Sequence, residues 1–522
     1  MEHFPFYLAL IVLIILLIMV ADRIKVAYPV MLVVAGLALS FIPGIPVLHI
    51  EPELIFVIFL PPLLYEAAFA ISWKELWRWR RIITSFAFIV VFLTASSVAV
   101  VANLFIPGLT LALGFLLGGI VSPPDAVSAG AILKFVKVPR RMSSILEGES
   151  LLNDASSLII FRFALVAVAT GQFIWSDAAL SFCWMVAGGA GIGLLVGWLF
   201  MKIHRLLPTD ANMDIALSLV APYVMYIAAE KVHSSGILSV VCGALLLSSR
   251  INHFMNSSSR LRGHNVWQSL VFILNGLVFL LIGLDLPEIS AGLKQEGIPL
   301  STAIGYGLLV AGTLIIVRFV ATFGASVVTR IARNFITVAN RNPGYRAPLI
   351  MGWTGMRGVV SLAAALSIPV QLGDGVPFPH RNLILFITFI AIITTLLLQG
   401  LTLPYLIRKV KPPEYRDYIP EHEAVQVVKE GLAQHTLDHL QTNYSEHLSN
   451  KHLLQLVDRW KGSKSSPEPG VTKETTRIQL DILDQERRWL LAKNKKDDQI
   501  DDEVIRKFLH RIDLEEEKLR AI

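Results

Sequence analysis

The chain has 522 residues, of which 54% are hydrophobic and only 16% are charged, with a mean hydropathy of +0.60 and a net charge of +6. A soluble protein of this size does not bury such a hydrophobic fraction, so the composition excludes an ordinary soluble enzyme and predicts an all-α polytopic membrane protein. Charged residues make up 41 of the 112 residues from Lys411 onward, against 45 of the 410 before them. We therefore expect a transmembrane domain over residues 1–410 and a cytosolic helical domain over residues 411–522.

Thirteen apolar segments are long enough to cross a bilayer core of about 30 Å. They lie near residues 4–20, 28–43, 54–70, 82–105, 109–132, 145–170, 178–201, 212–230, 236–249, 267–285, 301–328, 347–369 and 382–407. The odd-numbered links between them hold 19 Lys and Arg residues, and the even-numbered links hold 3. The positive-inside rule then predicts an N-terminus outside and a C-terminal tail in the cytoplasm of a cell-membrane protein.

Two of these segments carry signals for a helix that breaks inside the membrane. The fifth contains Pro123 and Pro124, which cannot donate backbone hydrogen bonds. The twelfth contains Gly352, Gly355 and Gly358 around Arg357, a charged residue within an apolar segment. The alternative is that these glycines allow close helix packing. With this topology the first and last six spans form inverted repeats, and paired broken helices in such repeats indicate a transport site.

Polar residues cluster in the sixth segment, where Asn153 and Asp154 stand side by side. An ionisable group at that depth costs roughly 2.5–3.5 kcal/mol on insertion scales and is a functional hypothesis by default. Ser150 is four residues before Asp154, so the two share a helix face. Asp125 follows the prolines of the fifth segment. We expect Asp154, Asp125 and Ser150 to bind a small hard cation, which takes oxygen ligands. The alternatives are a helix N-terminal cap or helix–helix hydrogen bonding for Asp154, and capping of the half-helix after the prolines for Asp125.

Arg318 lies among apolar residues of the eleventh segment and needs an anionic partner. Glu149 is the candidate, and it stands four residues before Asn153, which it is expected to orient. The alternative for Arg318 is an extended side chain that reaches the cytoplasmic interface.

A single carboxylate that binds either a proton or a metal cation exchanges the two by competition. This predicts a secondary transporter without a cofactor, whose transported ions are protons and sodium, lithium or potassium. A cation channel also uses carboxylates and broken helices, and it is the alternative from a different class. The sequence has no zinc-protease motif, serine-hydrolase elbow or nucleotide-binding loop, so an enzyme is not expected.

Five segments, in this order and spacing, resemble those of the monovalent cation/proton antiporter family, in the branch of the bacterial NhaP-type antiporters and the animal sodium/hydrogen exchangers. They are Pro61–Ala67, Ser122–Val127, Glu147–Ala155, Ser235–Leu238 and Gly355–Gly358. The resemblance implies a homodimer in which a core domain moves against a scaffold, as an elevator. It also implies that an Asn-Asp pair accompanies electroneutral exchange.

The resemblance assigns roles to the polar residues of the core. Asp154 carries the exchanged ion, while Ser150, Asp125 and the carbonyl of Pro124 add ligands. Glu149 pairs with Asn153 and Arg318. The family usually has threonine or serine where Pro124 stands, so a carbonyl ligand is kept there and a hydroxyl ligand is lost.

Outside the core, the sequence predicts two surfaces. Trp73, Trp77 and Trp79 alternate with basic residues, a pattern typical of contact with anionic lipid headgroups rather than with nucleic acid. Amphipathic helices around 422–460 and 478–519, separated by a linker, predict a tail that supports the dimer or binds a cytosolic regulator.

Overall fold

The structure is a computed structural model that describes residues 4–42, 52–136, 138–171, 175–334, 344–372, 376–412, 418–444 and 473–520. In these ranges the chain is α-helical, and β-structure is limited to one isolated bridge between Gln371 and Pro377. The all-helical prediction is confirmed.

The helices up to the middle of the chain are α1 (Phe4–Ile24), α2 (Tyr28–Ser40), α3 (Pro52–Ala70), α4 (Trp73–Thr84), α5 (Val91–Phe105), α6 (Leu111–Val121), α7 (Ala126–Leu133), α8 (Arg140–Thr170), α9 (Trp175–Leu206) and α10 (Ala211–Lys231). The remaining ones are α11 (Gly236–Phe254), α12 (Ser257–Leu284), α13 (Leu286–Gln295), α14 (Leu300–Ala332), α15 (Arg346–Trp353), α16 (Val359–Leu366), α17 (Arg381–Val410), α18 (Glu421–Asn443), α19 (Lys473–Lys496) and α20 (Asp502–Arg520). A π-helical segment, Ser85–Val90, joins α4 to α5 without a break.

Eight helical stretches of the described residues are long and apolar enough to cross a membrane, and three shorter apolar helices accompany them. Four of these stretches are more than 30 residues long: Trp73–Phe105 through α4 and α5, and those that pass through α8, α12 and α14. This agrees with a polytopic membrane fold. The segment between the third and fourth predicted spans forms α4, since Ser72 caps its first turn by accepting a hydrogen bond from the backbone of Glu75 at 3.4 Å.

Both predicted helix breaks are present. The first break, residues 122–125, separates α6 from α7, and the second break, residues 354–358, separates α15 from α16. At the second break a Cβ on Gly358 would lie 2.4 Å from Asp125 Oδ2. The second break therefore approaches the first so closely that only glycine fits at residue 358.

Helix α6 is held close to its neighbours, which positions the first break. A Cβ on Gly118 would lie 2.4 Å from the carbonyl oxygen of Ala95 in α5. This contact leaves no room for a side chain and brings the α6 backbone directly against α5. Gly119 similarly approaches Phe161 of α8, so the end of α6 lies beside the helix that carries Asn153 and Asp154.

The chain divides into two compact units. The first consists of Met1–Leu206, Ala216–Arg250 and Trp267–Glu414, and the second of Leu207–Ile215, Ile251–Val266 and Tyr415–Ile522. The first unit contains both breaks and α8. The second thus includes two segments from before residue 411 together with the tail.

The second unit has its own apolar core and a buried ionic network. Val428 of α18, Leu490 of α19 and Ile505 of α20 are fully buried in that core. Arg487 donates to Asp513 at 3.0 Å and to Glu516 at 2.5 Å, and Asp513 also pairs with Arg260. The predicted helix at 422–460 ends at Asn443 in the described residues, and the predicted linker near 465–470 lies outside them.

Candidate ion-binding site

The candidate site is built on the middle of α8, a helix of 31 residues. Glu149, Asn153 and Asp154 retain 1%, 0% and 7% of their surface. Helix α8 begins at Arg140 and ends before Gly171, which adopts the left-handed conformation typical of a helix C-terminus. The polar cluster therefore lies far from both helix ends, where water would otherwise solvate it.

Glu149 is fully paired. Its Oε2 accepts a hydrogen bond from Arg318 Nη2 at 2.8 Å, and its Oε1 accepts one from Nη1. Arg318 is 3% exposed and also donates Nε to the carbonyl of Met351 at 3.4 Å. The expected ion pair is present, and the alternative of an extended Arg318 at the interface is wrong. A bidentate pair of this kind neutralises Glu149 and joins α8 to α14.

Asn153 makes a different contact from the one expected. No hydrogen bond joins it to Glu149, whose two oxygens both accept from Arg318. Asn153 Nδ2 instead donates to the carbonyl of Pro124 at 3.2 Å, and its own Oδ1 is enclosed without a partner among the described residues. At the first break this carbonyl lacks a donor from its own helix, and it lies next to α8. No local sequence pattern predicts this hydrogen bond of Asn153.

Two side chains share the carbonyl of Pro124. Besides Asn153, the hydroxyl of Ser150 donates to it at 3.4 Å. The structure therefore brings Ser150, Asn153 and the Pro124 carbonyl together on the side of α8 that faces the first break. A hydroxyl that donates to this carbonyl keeps lone pairs that are able to bind a cation.

Asp125 caps α7. Its carboxylate accepts hydrogen bonds from the backbone N–H groups of Val127 and Ser128, each at 3.1 Å, and from the hydroxyl of Ser128. Its own N–H donates to the carbonyl of Met356 at 2.7 Å, which joins the two breaks directly. Ser128 was not predicted, but its place three residues after an N-cap Asp in an apolar half-helix is a usable signal.

Asp154 differs from its neighbours in having no hydrogen-bonding partner for its carboxylate within the described part of the chain. Neither carboxylate oxygen accepts a hydrogen bond from a described residue, and neither belongs to the fully enclosed polar atoms. A carboxylate in apolar surroundings needs a proton or a cation to offset its charge. No cluster of three or more His, Cys, Asp or Glu occurs among the described residues, so a cation here would bind one or two carboxylates with hydroxyl and carbonyl oxygens.

Arg357 stabilises both breaks. It is 1% exposed, and its Nε donates to the carbonyl of Val121, the last residue of α6, at 2.6 Å. Its Nη1 donates to the carbonyl of Gly355, and its backbone N–H donates to Thr395 Oγ1 at 3.2 Å. The role of Thr395 was missed, since a threonine in a membrane helix usually bonds back to its own helix, as this one also does.

Comparison with known proteins identifies the family of this chain. A family model described as "Sodium/hydrogen exchanger, transmembrane" matches residues 9–409, which include both breaks, α8 and Arg318. The chain belongs to the sodium/hydrogen exchanger family. Membership in this family shows that the chain is a membrane protein with many transmembrane spans.

Curated members of this family align over different lengths. The "Sodium, potassium, lithium and rubidium/H(+) antiporter" of Bacillus pumilus is 36% identical over 73% of this chain and 58% of its own length. The chain thus spans little more than half of that relative. An uncharacterized Na(+)/H(+) exchanger of Mycobacterium bovis is 32% identical over 95% of this chain and 92% of its own length.

A solved structure shares the fold. The sodium proton antiporter MjNhaP1 from Methanocaldococcus jannaschii superposes with a TM-score of 0.61 at 18% identity, over 79% of this chain and 99% of its own. The polytopic fold predicted for this sodium/hydrogen exchanger family member is therefore that of a known antiporter structure.

Proposed function

We propose that the protein exchanges protons for sodium or lithium ions across the cell membrane, with Asp154 as the group that takes either ion. The observation that carries this proposal is the contrast on α8: Glu149 is neutralised by Arg318, whereas Asp154 has no partner among the described residues. Family membership and the antiporter names of relatives support it.

Competition at one carboxylate accounts for coupling. When Asp154 holds a proton, the site is neutral, and when it holds a monovalent cation, the site is neutral again. An empty, ionised Asp154 is the state that apolar surroundings penalise. Since Asn153 stands beside it in place of a second acid, one charge replaces one charge and the exchange is electroneutral.

The other ligands come from the groups around the first break. Ser150, one helical turn before Asp154 on α8, donates to the carbonyl of Pro124, and Asp125 retains unused lone pairs after capping α7. We place the N-terminus outside and the tail in the cytoplasm, on the distribution of basic residues. A homodimer with an elevator motion of the core completes the proposal.

A broader cation range is the second candidate. The relative from Bacillus pumilus is named for sodium, potassium, lithium and rubidium, and the oxygen ligands around Asp154 do not by themselves reject a larger alkali ion. Potassium/proton exchange therefore belongs in the same assay.

The test is transport by purified protein in proteoliposomes that contain a pH-sensitive dye. Sodium, lithium and potassium gradients are imposed at several pH values, for the wild type and for Asp154→Asn. Asp438→Asn, an exposed acid of α18, is the matched control. We expect the wild type and the control to exchange and Asp154→Asn to be inactive but folded.

Substantial exchange by Asp154→Asn would remove Asp154 from the central role. A rate that follows an imposed membrane potential would contradict electroneutral exchange. Cation flux without proton movement would indicate a channel.

A further inference from the structure

Helix α17 carries a line of buried polar side chains. Thr388, Thr395 and Gln399 are each 0% exposed. Their spacing of seven and four residues places them on one face of the helix. Apolar residues would fill these positions without a desolvation cost, so the polar groups require an explanation.

This face lies against the second break. Thr395 Oγ1 accepts the backbone N–H of Arg357 at 3.2 Å, and Thr402 Oγ1 accepts the indole N–H of Trp353 at 2.8 Å. Gln399 is between these two contacts on the same face. It therefore lies opposite the interrupted backbone between Trp353 and Arg357.

Gln399 has no protein partner within the described part of the chain. Both its Nε2 and its Oε1 are enclosed and without a hydrogen bond. The hydroxyls of Ser361, in α16, and of Thr388 are enclosed in the same way. Leaving such a group unsatisfied costs about 1–3 kcal/mol, which is why buried polar atoms have a protein or water partner in nearly all proteins.

The second break itself leaves backbone groups without partners. The carbonyls of Gly352, Trp353 and Thr354 accept no hydrogen bond from the described residues. Helix α15 ends here, so its last carbonyls lose their intrahelical donors. An amide that donates and accepts lies opposite carbonyls that only accept.

We propose that Gln399 holds one or more water molecules between α17 and the second break. Water is small enough for an internal site, and it donates and accepts, so it satisfies the amide of Gln399 and the freed carbonyls together. A metal cation does not fit this position, since the line on α17 has no carboxylate and Arg357 is adjacent. The ligand is therefore neutral water.

Through this water Gln399 is a positioning residue for the exchange proposed above, and the inference rests on that function. The water fixes the backbone up to Met356, whose carbonyl accepts the N–H of Asp125. Asp125 in turn caps the half-helix next to the Pro124 carbonyl. Gln399 does not contact the ion, and it acts through the second break on the ion ligands.

The first test is structural. A high-resolution cryo-electron microscopy map of the full chain in lipid nanodiscs is expected to show water density within hydrogen-bond distance of the Gln399 amide, and a map of Gln399→Met is expected to lack it. A wild-type map with a dry, closed contact around Gln399 would overturn the proposal. Density with four or more oxygen ligands near 2.4 Å, as a sodium ion requires, would do so as well.

The second test is functional and uses Gln399→Met, which keeps the length of the side chain, and Gln399→Asn, which keeps the amide. We expect Gln399→Met to fold, to melt below the wild-type temperature because the freed carbonyls lose their water, and to lower the exchange rate roughly tenfold, an effect typical of residues that orient ion ligands. Its exchange–pH profile is expected to shift, and Gln399→Asn to recover part of the rate. Leu398→Met, a substitution at the exposed neighbouring position, is the control.

Wild-type rate and pH profile in Gln399→Met would overturn the positioning role. If the wild type itself does not exchange, the proposed function fails, while the water density remains decisive for the site. If the wild type exchanges and the site is dry, only the inference on Gln399 fails.

Discussion

The first and second breaks expose the same kind of backbone groups, but different side chains stabilise them. The first is local: Pro123 and Pro124 have no N–H to leave unpaired, and Asp125 caps the helix that follows. The second depends on distant residues. Arg357 contacts the end of α6, Thr395 of α17 accepts the backbone N–H of Arg357, and Arg318 reaches from α14 to the carbonyl of Met351.

The difference indicates a division of roles. At the first break Asp125 caps the following helix, and the carbonyl of Pro124 is left for Ser150 and Asn153 of α8, the helix that carries Asp154. Around Arg357, the second break brings its own helices, α15 and α16, together with α6 and α17. We infer that the first break supplies the ion site and the second holds it in place.

The largest effect is expected for Arg357→Met. Removing the guanidinium leaves the buried carbonyls of Val121 and Gly355 without donors, which destabilises the fold by on the order of 3 kcal/mol. Thermal unfolding in detergent measures the loss, with Arg408→Met at the exposed end of α17 as the control. If Arg357→Met melts like the control, the second break does not depend on this side chain.

A smaller effect is expected at the first break. Asp125→Ala removes the cap of α7 and should cost about 1 kcal/mol, while Asp125→Asn keeps a capping oxygen and loses the charge. We expect Asp125→Asn to retain nearly the wild-type melting temperature but to bind sodium more weakly. Unchanged sodium affinity in a folded Asp125→Asn protein would limit Asp125 to capping.

The sequence predicted the first break better than the second for a physical reason. Proline and an N-cap aspartate act on their own chain segment, so their effect is readable from residues 122–125. The partners of Arg357 are Val121 and Thr395, far away in the chain. The pairing of Glu149 with Arg318 was predictable because a buried arginine needs an anion. The contact of Asn153 with Pro124 depends on how closely α6 approaches α8, which no local pattern encodes.

A substitution in the tail provides the reference with the smallest effect on transport. In the tail, Glu486 is 5% exposed and accepts a hydrogen bond from Thr436 at 2.9 Å. Burial raises the pKa of Glu486 to about 7, assisted by the nearby charge of Glu515 and opposed by Thr436 and Arg511. The folded tail therefore binds a proton that the unfolded chain releases near pH 4.5.

Proton binding by Glu486 therefore stabilises the folded tail at low pH. This contribution to stability is complete below pH 4.5 and is lost as the pH rises toward 7. Glu486→Gln should remove that part of the dependence, which limited proteolysis of the tail in the full chain at pH 6 and pH 8 measures. Exchange at Asp154 should be unaffected. If the variant tail keeps the wild-type dependence on pH, Glu486 is not the titrating group.

Proton release on cation binding tests the competition at Asp154 most directly. Sodium is added to the purified protein in weakly buffered detergent solution, and the released protons and the bound sodium are both counted. Competition at Asp154 predicts that each bound sodium displaces a proton from the wild type and that Asp154→Asn releases none. Sodium binding without proton release, or equal release from Asp154→Asn, would contradict it.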